Sequence, residues 1–116
     1  MSRLALRSHY WGALVVVVAA GELNAGSAEG LDSYLRRVQG ENDLVMDLWD
    51  ITLCDAEGIA ALDAAKRRAE ADGWGFAVVA DPDGPCAAAL EAGGPSTIRT
   101  FANRHAARVA LASPPA

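Results

Sequence analysis

Basic residues, cysteines and long apolar runs are all scarce in this sequence of 116 residues. Only 10 residues are Lys or Arg, against 15 Asp or Glu, so the formal net charge is −5. This acidic balance argues against a nucleic-acid-binding protein, which needs a basic face. The longest apolar run, residues 13–20, spans eight residues, whereas a membrane-spanning helix needs about 20. We therefore expect no nucleic-acid partner and no membrane insertion.

Cysteine is limited to Cys54 and Cys86. Two cysteines do not make a disulfide scaffold, and their spacing matches no metal site. No segment has the pattern of a cleavable signal peptide. We therefore expect reduced thiols, no metal, no cofactor and a cytoplasmic location.

Apolar residues are plentiful enough for a folded domain. The sequence is 52% hydrophobic and 22% charged, which excludes disorder of the whole chain. Its length fits one ordinary domain. We place that domain at residues 1–112 and expect residues 113–116 to be a flexible tail.

Patterns typical of strands and helices alternate along the chain. The predicted strands cover residues 3–8, 14–18, 43–48, 76–80 and 97–101, and the predicted helices cover residues 28–39, 56–72, 86–92 and 104–111. Residues 10–12 are predicted as a turn and residues 49–55 as a connection. The order β-β-α-β-α-β-α-β-α predicts an α/β fold with a mixed, mainly parallel β-sheet, whose first two strands are antiparallel.

The predicted helix starts carry residues typical of that position. Ser27 is the predicted N-cap of the first helix, Asp55 that of the second and Asn103 that of the fourth, and Pro85 suits the first position of the third. The Asp55 carboxylate is expected to accept hydrogen bonds from the amides of Glu57 or Gly58. A helix start also carries unpaired amides and a partial positive charge, so the start at Asp55 suits an anion or a switch that adds one.

Two short motifs occupy matching places in the predicted fold. The first is Gly21-Glu22-Leu23-Asn24, and the second is Asp47-Leu48 followed by Asp55-Ala56-Glu57-Gly58-Ile59. With these motifs the chain resembles a STAS domain of the anti-sigma factor antagonist type. That family has Gly-Glu-Leu-Asp after its second strand, a strand ending in Asp-Leu, and an Asp-Ser-x-Gly-Leu turn that opens a helix. The predicted element order also fits the family and covers nearly the whole chain.

The resemblance implies a regulatory protein without catalytic residues. Such proteins bind an anti-sigma factor, usually a small ATP-dependent kinase, which phosphorylates the serine of the turn and is then released. Here Ala56 stands in place of that serine and Asn24 in place of the usual aspartate. Because alanine has no hydroxyl, we expect that the usual phosphorylation switch is lost. Glu57 is either a weak imitation of the phosphate charge or a favourable residue for a helix start.

The resemblance also indicates which residues contact the partner. The expected docking surface combines the turn, the exposed face of the following helix and the loop at the first motif. Its members are Glu22, Asn24, Asp55, Ala56, Glu57, Gly58, Asp63, Lys66 and Arg67. Within that helix, spacings of four residues predict ion pairs of Asp63 with Arg67 and of Lys66 with Glu70. Trp49 and Trp74 are either exposed anchors for the partner or packed residues.

Alternatives to this interpretation differ in partner or in chemistry. A STAS accessory subunit of a lipid-transport ATPase, or of a larger signalling assembly, would share the fold. An enzyme would use Cys54 as a nucleophile with His9 or His105 as its base, although a packed thiol is the simpler interpretation. A weak homodimer through the first strand also stays open, although its alternating arginines oppose such pairing.

Overall fold

The chain folds as a five-stranded β-sheet with helices on both faces. The computed structural model describes residues 4–40, 42–92 and 98–112. The strands are β1 (Leu4–Trp11), β2 (Leu14–Leu23), β3 (Asp43–Cys54), β4 (Phe76–Val79) and β5 (Arg99–Phe101). The helices are α1 (Ala25–Gln39), α2 (Ala56–Ala71), α3 (Pro85–Ala92) and α4 (Arg104–Ala112).

The strands lie side by side in chain order, β1-β2-β3-β4-β5. β1 is antiparallel to β2, and every later neighbouring pair is parallel. The predicted α/β class, with its mixed and mainly parallel sheet, is therefore confirmed. Among the described residues, no helix is long and apolar enough to cross a membrane.

Each face of the sheet carries an apolar layer. Val15 and Val17 of β2 belong to the larger layer, which includes buried residues of α1, α2 and α3. Val16 and Val18 belong to the smaller layer on the other face, where Ala107 of α4 packs. A strand buried on both faces needs an uninterrupted apolar run rather than alternation, which is the pattern that predicted β2.

The first helix begins three residues earlier than the sequence predicted. Its N-cap is Asn24, whose side chain accepts from the Gly26 amide at 3.0 Å. The Ser27 hydroxyl instead accepts from the Asn24 amide at 3.0 Å and donates to the Glu22 carbonyl oxygen at 2.8 Å. The prediction that Ser27 is the cap was wrong because serine here fills the third helical position, as Glu or Gln does in a capping box.

The third strand is twice as long as predicted, because residues 49–54 continue β3 instead of forming a connection. The pairing of β2 with β3 shifts register between Val18 and Ala20 and again between Gly21 and Glu22. At each shift β3 contributes one more residue than β2, which is the property of a β-bulge. A bulge interrupts the alternation of inward and outward side chains that identifies a strand. The sequence pattern that predicted β3 therefore ended at the first bulge.

The other boundaries differ less. β1 extends to Trp11, so the turn before β2 lies at Gly12 and Ala13 rather than at residues 10–12. Pro85 opens α3 and Asn103 caps α4, accepting from the Ala106 amide at 2.8 Å, as predicted. Some predictions fall outside the described residues. They are the strand starts at Arg3 and Thr97, the helix stop at residues 93–95 and the tail at 113–116.

Candidate docking surface

The two sequence motifs meet at the carboxyl ends of β2 and β3. The two strands are parallel neighbours, and their last register pair is Leu23 with Cys54. Asn24 and Asp55 follow directly and cap α1 and α2. The Asp55 amide donates to the Leu23 carbonyl oxygen at 3.0 Å, so the strand pairing continues into the turn. Both helix starts are thereby held at one edge of the sheet.

The Asp55 carboxylate accepts hydrogen bonds from backbone amides in the first turn of α2. Its Oδ1 accepts from the Glu57 amide at 3.0 Å and from the Gly58 amide at 3.1 Å. Two of the amides that a helix start leaves unpaired are therefore satisfied within the chain. The predicted cap is confirmed, and its two hydrogen bonds tie the Asp55 side chain to the first turn of α2.

Gly58 lets α2 approach the end of β2. A Cβ atom at this position would lie 2.5 Å from Leu23 Cγ and 2.7 Å from the Leu23 carbonyl oxygen. Both distances are far below van der Waals contact, and the carbonyl oxygen belongs to the backbone, so only glycine fits. Gly58 is also buried. It therefore shapes the predicted docking surface from below and is not itself an exposed contact residue.

Ala56 and Glu57 are the first two residues of α2, and both are exposed. Glu22, Asn24 and Asp55 beside them are partly buried. The methyl group of Ala56 thus lies at the surface, flanked by carboxylates. This part of the predicted surface is open to a partner.

Two large apolar side chains lie exposed in the second half of β3, the strand that leads into this turn. Trp49 is 46% exposed and Leu53 is 45% exposed. Leu53 is the register partner of Glu22, so the two side chains share one face of the sheet. β4 pairs only with residues 44–47 of β3, so this part of β3 extends beyond its β4 neighbour. Sequence reasoning missed Leu53 because it placed residues 49–55 in a connection.

Asp47 supports the first bulge of β3. This buried carboxylate accepts from the Trp49 amide at 3.0 Å through Oδ1 and from Arg104 Nε at 2.7 Å through Oδ2. It therefore pairs an amide of the bulged segment and ties that segment to α4. The position of Trp49 follows from this bond.

The basic run at residues 66–68 does not form one exposed face. Arg67 is exposed and pairs with Asp63 at 2.8 Å, and Lys66 pairs with Glu70, as predicted. Lys66, however, is only 8% exposed. The prediction that it lies on the exposed face of this helix was wrong, because position 66 is on the buried stripe of α2 and only the amine reaches Glu70.

Arg68, the third residue of that run, points towards α1. Its Nη1 donates to Asp32 Oδ1 at 2.8 Å, and Asp32 Oδ2 accepts from Arg36 Nε at 2.8 Å. The hydrogen bonds from Arg36 and Arg68 hold the pKa of the Asp32 carboxyl below its usual value. This cluster joins the two helices and belongs to the fold rather than to the turn.

Both cysteines belong to the same side of the sheet as the larger apolar layer. Cys54 is half-buried and packs against that layer, and the buried Cys86 is part of it. Interaction with the Cys86 side chain lowers the pKa of the Cys54 thiol, against the opposing effects of burial and of the Asp55 charge. The same interaction and burial raise the pKa of Cys86.

Neither predicted histidine base reaches Cys54. His9 pairs across the sheet with Val16, seven positions along β2 from Leu23, the partner of Cys54. At about 3.3 Å per residue, that places His9 about 23 Å away along the strand. His105 lies on α4, which packs on the opposite face of the sheet. The hypothesis of a cysteine–histidine enzyme therefore has no histidine close enough to act as a general base for Cys54. Within the described ranges, no group of three metal-ligating side chains is present.

The sequence itself matches a family model described as "Mlab, STAS domain" over residues 11–100. The chain belongs to this STAS domain family. The resemblance found from the two motifs is thereby confirmed. No match is found among curated proteins.

Solved structures of anti-sigma factor antagonists share this STAS fold. One from Mycobacterium paratuberculosis is 20% identical, with a TM-score of 0.79 and 96% of each chain covered. A putative one from Thermotoga maritima is 16% identical, with a TM-score of 0.78, covering 93% of this chain and 95% of that one. Unphosphorylated SpoIIAA is 15% identical, with a TM-score of 0.64, covering 91% of this chain and 96% of that one.

Proposed function

We propose that this STAS domain is a non-catalytic regulatory module that binds an anti-sigma factor or a related kinase-like protein. The docking surface comprises Ala56 and Glu57 at the start of α2, the loop at Glu22 and Asn24, and the apolar pair Trp49 and Leu53. Asp63 and Arg67 extend it along α2. Binding at this surface depends on shape and charge, with no chemical step.

One observation carries the proposal: an exposed alanine stands at the start of a helix whose next two amides are already capped. Ala56 is exposed, and the Asp55 carboxylate pairs the Glu57 and Gly58 amides beside it. These hydrogen bonds preorganise the turn, which lowers the cost of ordering it when a partner binds.

Charge and apolar area give the surface its selectivity. Glu22, Asp55 and Glu57 supply carboxylates around the turn, and Trp49 and Leu53 supply exposed apolar area on the strand that leads into it. A complementary partner presents an apolar pocket with a basic rim, since opposite charges steer association and apolar anchors supply most of the affinity.

Loss of the hydroxyl makes the module insensitive to a kinase at this position. A phosphate adds about −1.5 to −2 charge at neutral pH, and Ala56 has no oxygen atom to carry it. The partner therefore stays bound in the presence of ATP, and regulation acts by other means, such as the abundance of this chain.

The test measures binding of the purified chain to anti-sigma kinases encoded in the same genome, with and without ATP. The unmodified chain binds one of them equally well in both conditions. The Ala56→Ser variant becomes phosphorylated and then dissociates. The Ala56→Asp variant, which places a permanent charge there, binds at least about tenfold more weakly, or about 1.4 kcal/mol.

Two outcomes contradict the proposal. Phosphate on a nearby residue, such as Thr52 of β3, would show that a switch is retained. Recovery of a lipid-transport ATPase or of a larger signalling complex as the stable partner, with no binding to any anti-sigma factor, would favour the accessory-subunit alternative instead.

A further inference from the structure

We propose that the edge strand β1 pairs with β1 of a second copy of this chain, so that the protein forms a weak symmetric dimer. β1 lies at one end of the sheet, and in the described part of the chain only β2 pairs with it. The dimer is independent of the proposed function, because β1 is not part of the docking surface.

The free edge of β1 presents backbone groups at every second residue. Gly12 and Ala13 form a two-residue turn with a φ of 68° at Gly12, so the flanking residues Trp11 and Leu14 are a hydrogen-bonded pair. In antiparallel strands such pairs alternate with pairs whose amide and carbonyl groups point to the outer edges. The residues of β1 whose groups point away from β2 are therefore Leu4, Leu6, Ser8 and Tyr10.

The side chains of these residues lie on the face of the sheet that carries α1. Leu4 and Leu6 pack against the larger apolar layer, and Ser8 Oγ accepts a hydrogen bond from Tyr34 Oη of α1 at 3.0 Å. Alternation along the strand places Tyr10 on the same face, where its side chain is 70% exposed. Tyr10 is thus a large aromatic side chain at the sheet edge with little cover from its own chain.

A cavity of about 360 Å³ opens between β1 and α1 on this face. Its walls include Leu4, Leu6, Leu31 and Tyr34, and Gly30 of α1 also lines it. A Cβ atom at Gly30 would meet nothing within 4 Å, so the glycine leaves space there. An apolar cavity of about 150 Å³ already holds a benzene ring, so this one has room for a tyrosine side chain.

One register of two antiparallel β1 strands brings the exposed ring and the cavity together. With Ser8 opposite Ser8 of the second copy, Leu6 lies opposite Tyr10 of the second copy, and the outward amide and carbonyl groups of both strands face each other. Each Tyr10 ring then lies over Leu6 of the other copy, at the mouth of its cavity. The two Ser8 hydroxyls meet beside their Tyr34 partners, a cross-strand pair of the kind that stabilises sheets. The contact is self-complementary, as a two-fold dimer requires.

The neighbouring registers are less favourable. A pair centred on Arg7 would place two arginines directly opposite each other, and like charges there are destabilising. A pair centred on Leu6 would carry Tyr10 past the start of the other β1 strand. With Ser8 at the centre, Arg7 lies opposite His9, so the pairing of arginine with arginine that opposes a β1 dimer is avoided.

The size of the contact indicates a weak dimer. Two buried tyrosine side chains supply about 300–500 Å², and the strand edges add to that area. A standard stable interface buries about 1,200–2,000 Å². We therefore expect a dimer that exchanges with monomer between about 1 µM and 1 mM chain.

Sedimentation equilibrium over that range of concentrations measures the dimer. We expect Tyr10→Ala and Ser8→Pro each to raise the dimer Kd at least about tenfold. Proline at position 8 removes an amide that points away from β2, so the pairing of β1 with β2 keeps its hydrogen bonds. Val109→Ala, which truncates an exposed side chain on α4, is the matched control and should leave the dimer Kd unchanged. Circular dichroism verifies that each variant is folded, and Tyr10→Ala alone decides the outcome if the proline variant is not.

Cross-linking tests the register in a chain that carries Cys54→Ser and Cys86→Ala. Ser8→Cys should form a disulfide-linked dimer in air, because the two Cα atoms of a hydrogen-bonded pair lie about 5.5 Å apart. Leu6→Cys should not, because the two copies of position 6 lie four residues apart along the strands, or about 13 Å.

A chain that is monomeric at every concentration overturns the dimer and leaves the proposed function intact. A dimer that Tyr10→Ala does not weaken, or that cross-links through Leu6→Cys and not through Ser8→Cys, overturns the β1 register. Binding of an anti-sigma kinase is measured separately, so its absence contradicts the proposed function and not the dimer.

Discussion

The backbone amide of Asp55 donates a hydrogen bond to the carbonyl oxygen of Leu23 at 3.0 Å. This bond extends the β2–β3 pairing by one step beyond Cys54 and fixes where α2 begins. Asp55 then caps the helix with its side chain, so a single residue connects the sheet to the proposed docking surface. The surface therefore depends on tertiary pairing as well as on local capping.

Gly58→Ala tests the close approach of α2 to β2. The added carbon meets the Leu23 side chain and its backbone oxygen, so α2 has to shift. We expect the free energy of unfolding to fall by about 1–3 kcal/mol, the usual cost of overpacking. Urea unfolding measures it.

The matched control is Gly30→Ala on the exposed side of α1, where an added Cβ meets nothing within 4 Å. This change should stabilise the chain by up to about 1 kcal/mol, because alanine is the better helix former. Equal effects of the two variants would show that Leu23 does not restrict position 58.

Asp55→Ala tests the cap. Removing the carboxylate leaves the Glu57 and Gly58 amides without their acceptor, so we expect a loss of about 0.5–2 kcal/mol in the free energy of unfolding. Asp55→Asn keeps an acceptor and should lose much less. Chemical denaturation measures the free energy of unfolding of both variants. If asparagine proves as costly as alanine, the charge matters rather than the hydrogen bonds.

The sequence predicted the α/β order because its signals are local. An apolar run without alternation marks β2, and Asp55, Pro85 and Asn103 mark helix starts. These signals act within a few residues, so they survive in the folded chain. The motifs at Asn24 and Asp55 likewise identified the family from sequence alone.

The features that were missed depend on contacts between distant residues. Two bulges carry β3 through residues 49–54, and they follow from its pairing with β2 rather than from its own pattern. Spacing predicted the pair of Lys66 with Glu70 but not that Lys66 is buried, because either helix face allows that pair.

Asp32→Asn tests the charge cluster between α1 and α2 through its pH dependence. The pKa of Asp32 is lowered in the folded chain by Arg36 and Arg68, so its stabilising contribution is full above the unfolded-state pKa of about 3.9. That contribution is lost as the pH falls through the lower folded-state pKa. We expect the variant to be less stable at pH 7 by about 1 kcal/mol or less.

The difference in the free energy of unfolding between Asp32→Asn and the unmodified chain should shrink as the pH drops below about 4. Urea titrations at several pH values measure this difference. Asp63→Asn, which breaks the more exposed pair with Arg67, is the matched control and should have a smaller effect at pH 7. A constant difference for Asp32→Asn at every pH would mean that packing, and not the carboxylate charge, is responsible.

Leu53→Ala tests whether the exposed end of β3 belongs to the docking surface. Leu53 is 45% exposed, so truncating it should change the free energy of unfolding by less than about 1 kcal/mol. If a partner buries Leu53 as an apolar anchor, truncating it costs far more binding free energy. We therefore expect Kd for the anti-sigma kinase to rise about tenfold, or about 1.4 kcal/mol. Isothermal titration calorimetry with the reduced chain measures this change.

Val109→Ala provides the comparison for that experiment. Val109 is 51% exposed, and it lies on α4, which is not part of the proposed docking surface. Truncating it should leave Kd unchanged, because α4 packs on the smaller apolar layer around Ala107. If both variants weaken binding equally, the partner covers α4 as well as the end of β3. If only Val109→Ala weakens it, the docking surface lies on the α4 face and not at the carboxyl ends of β2 and β3.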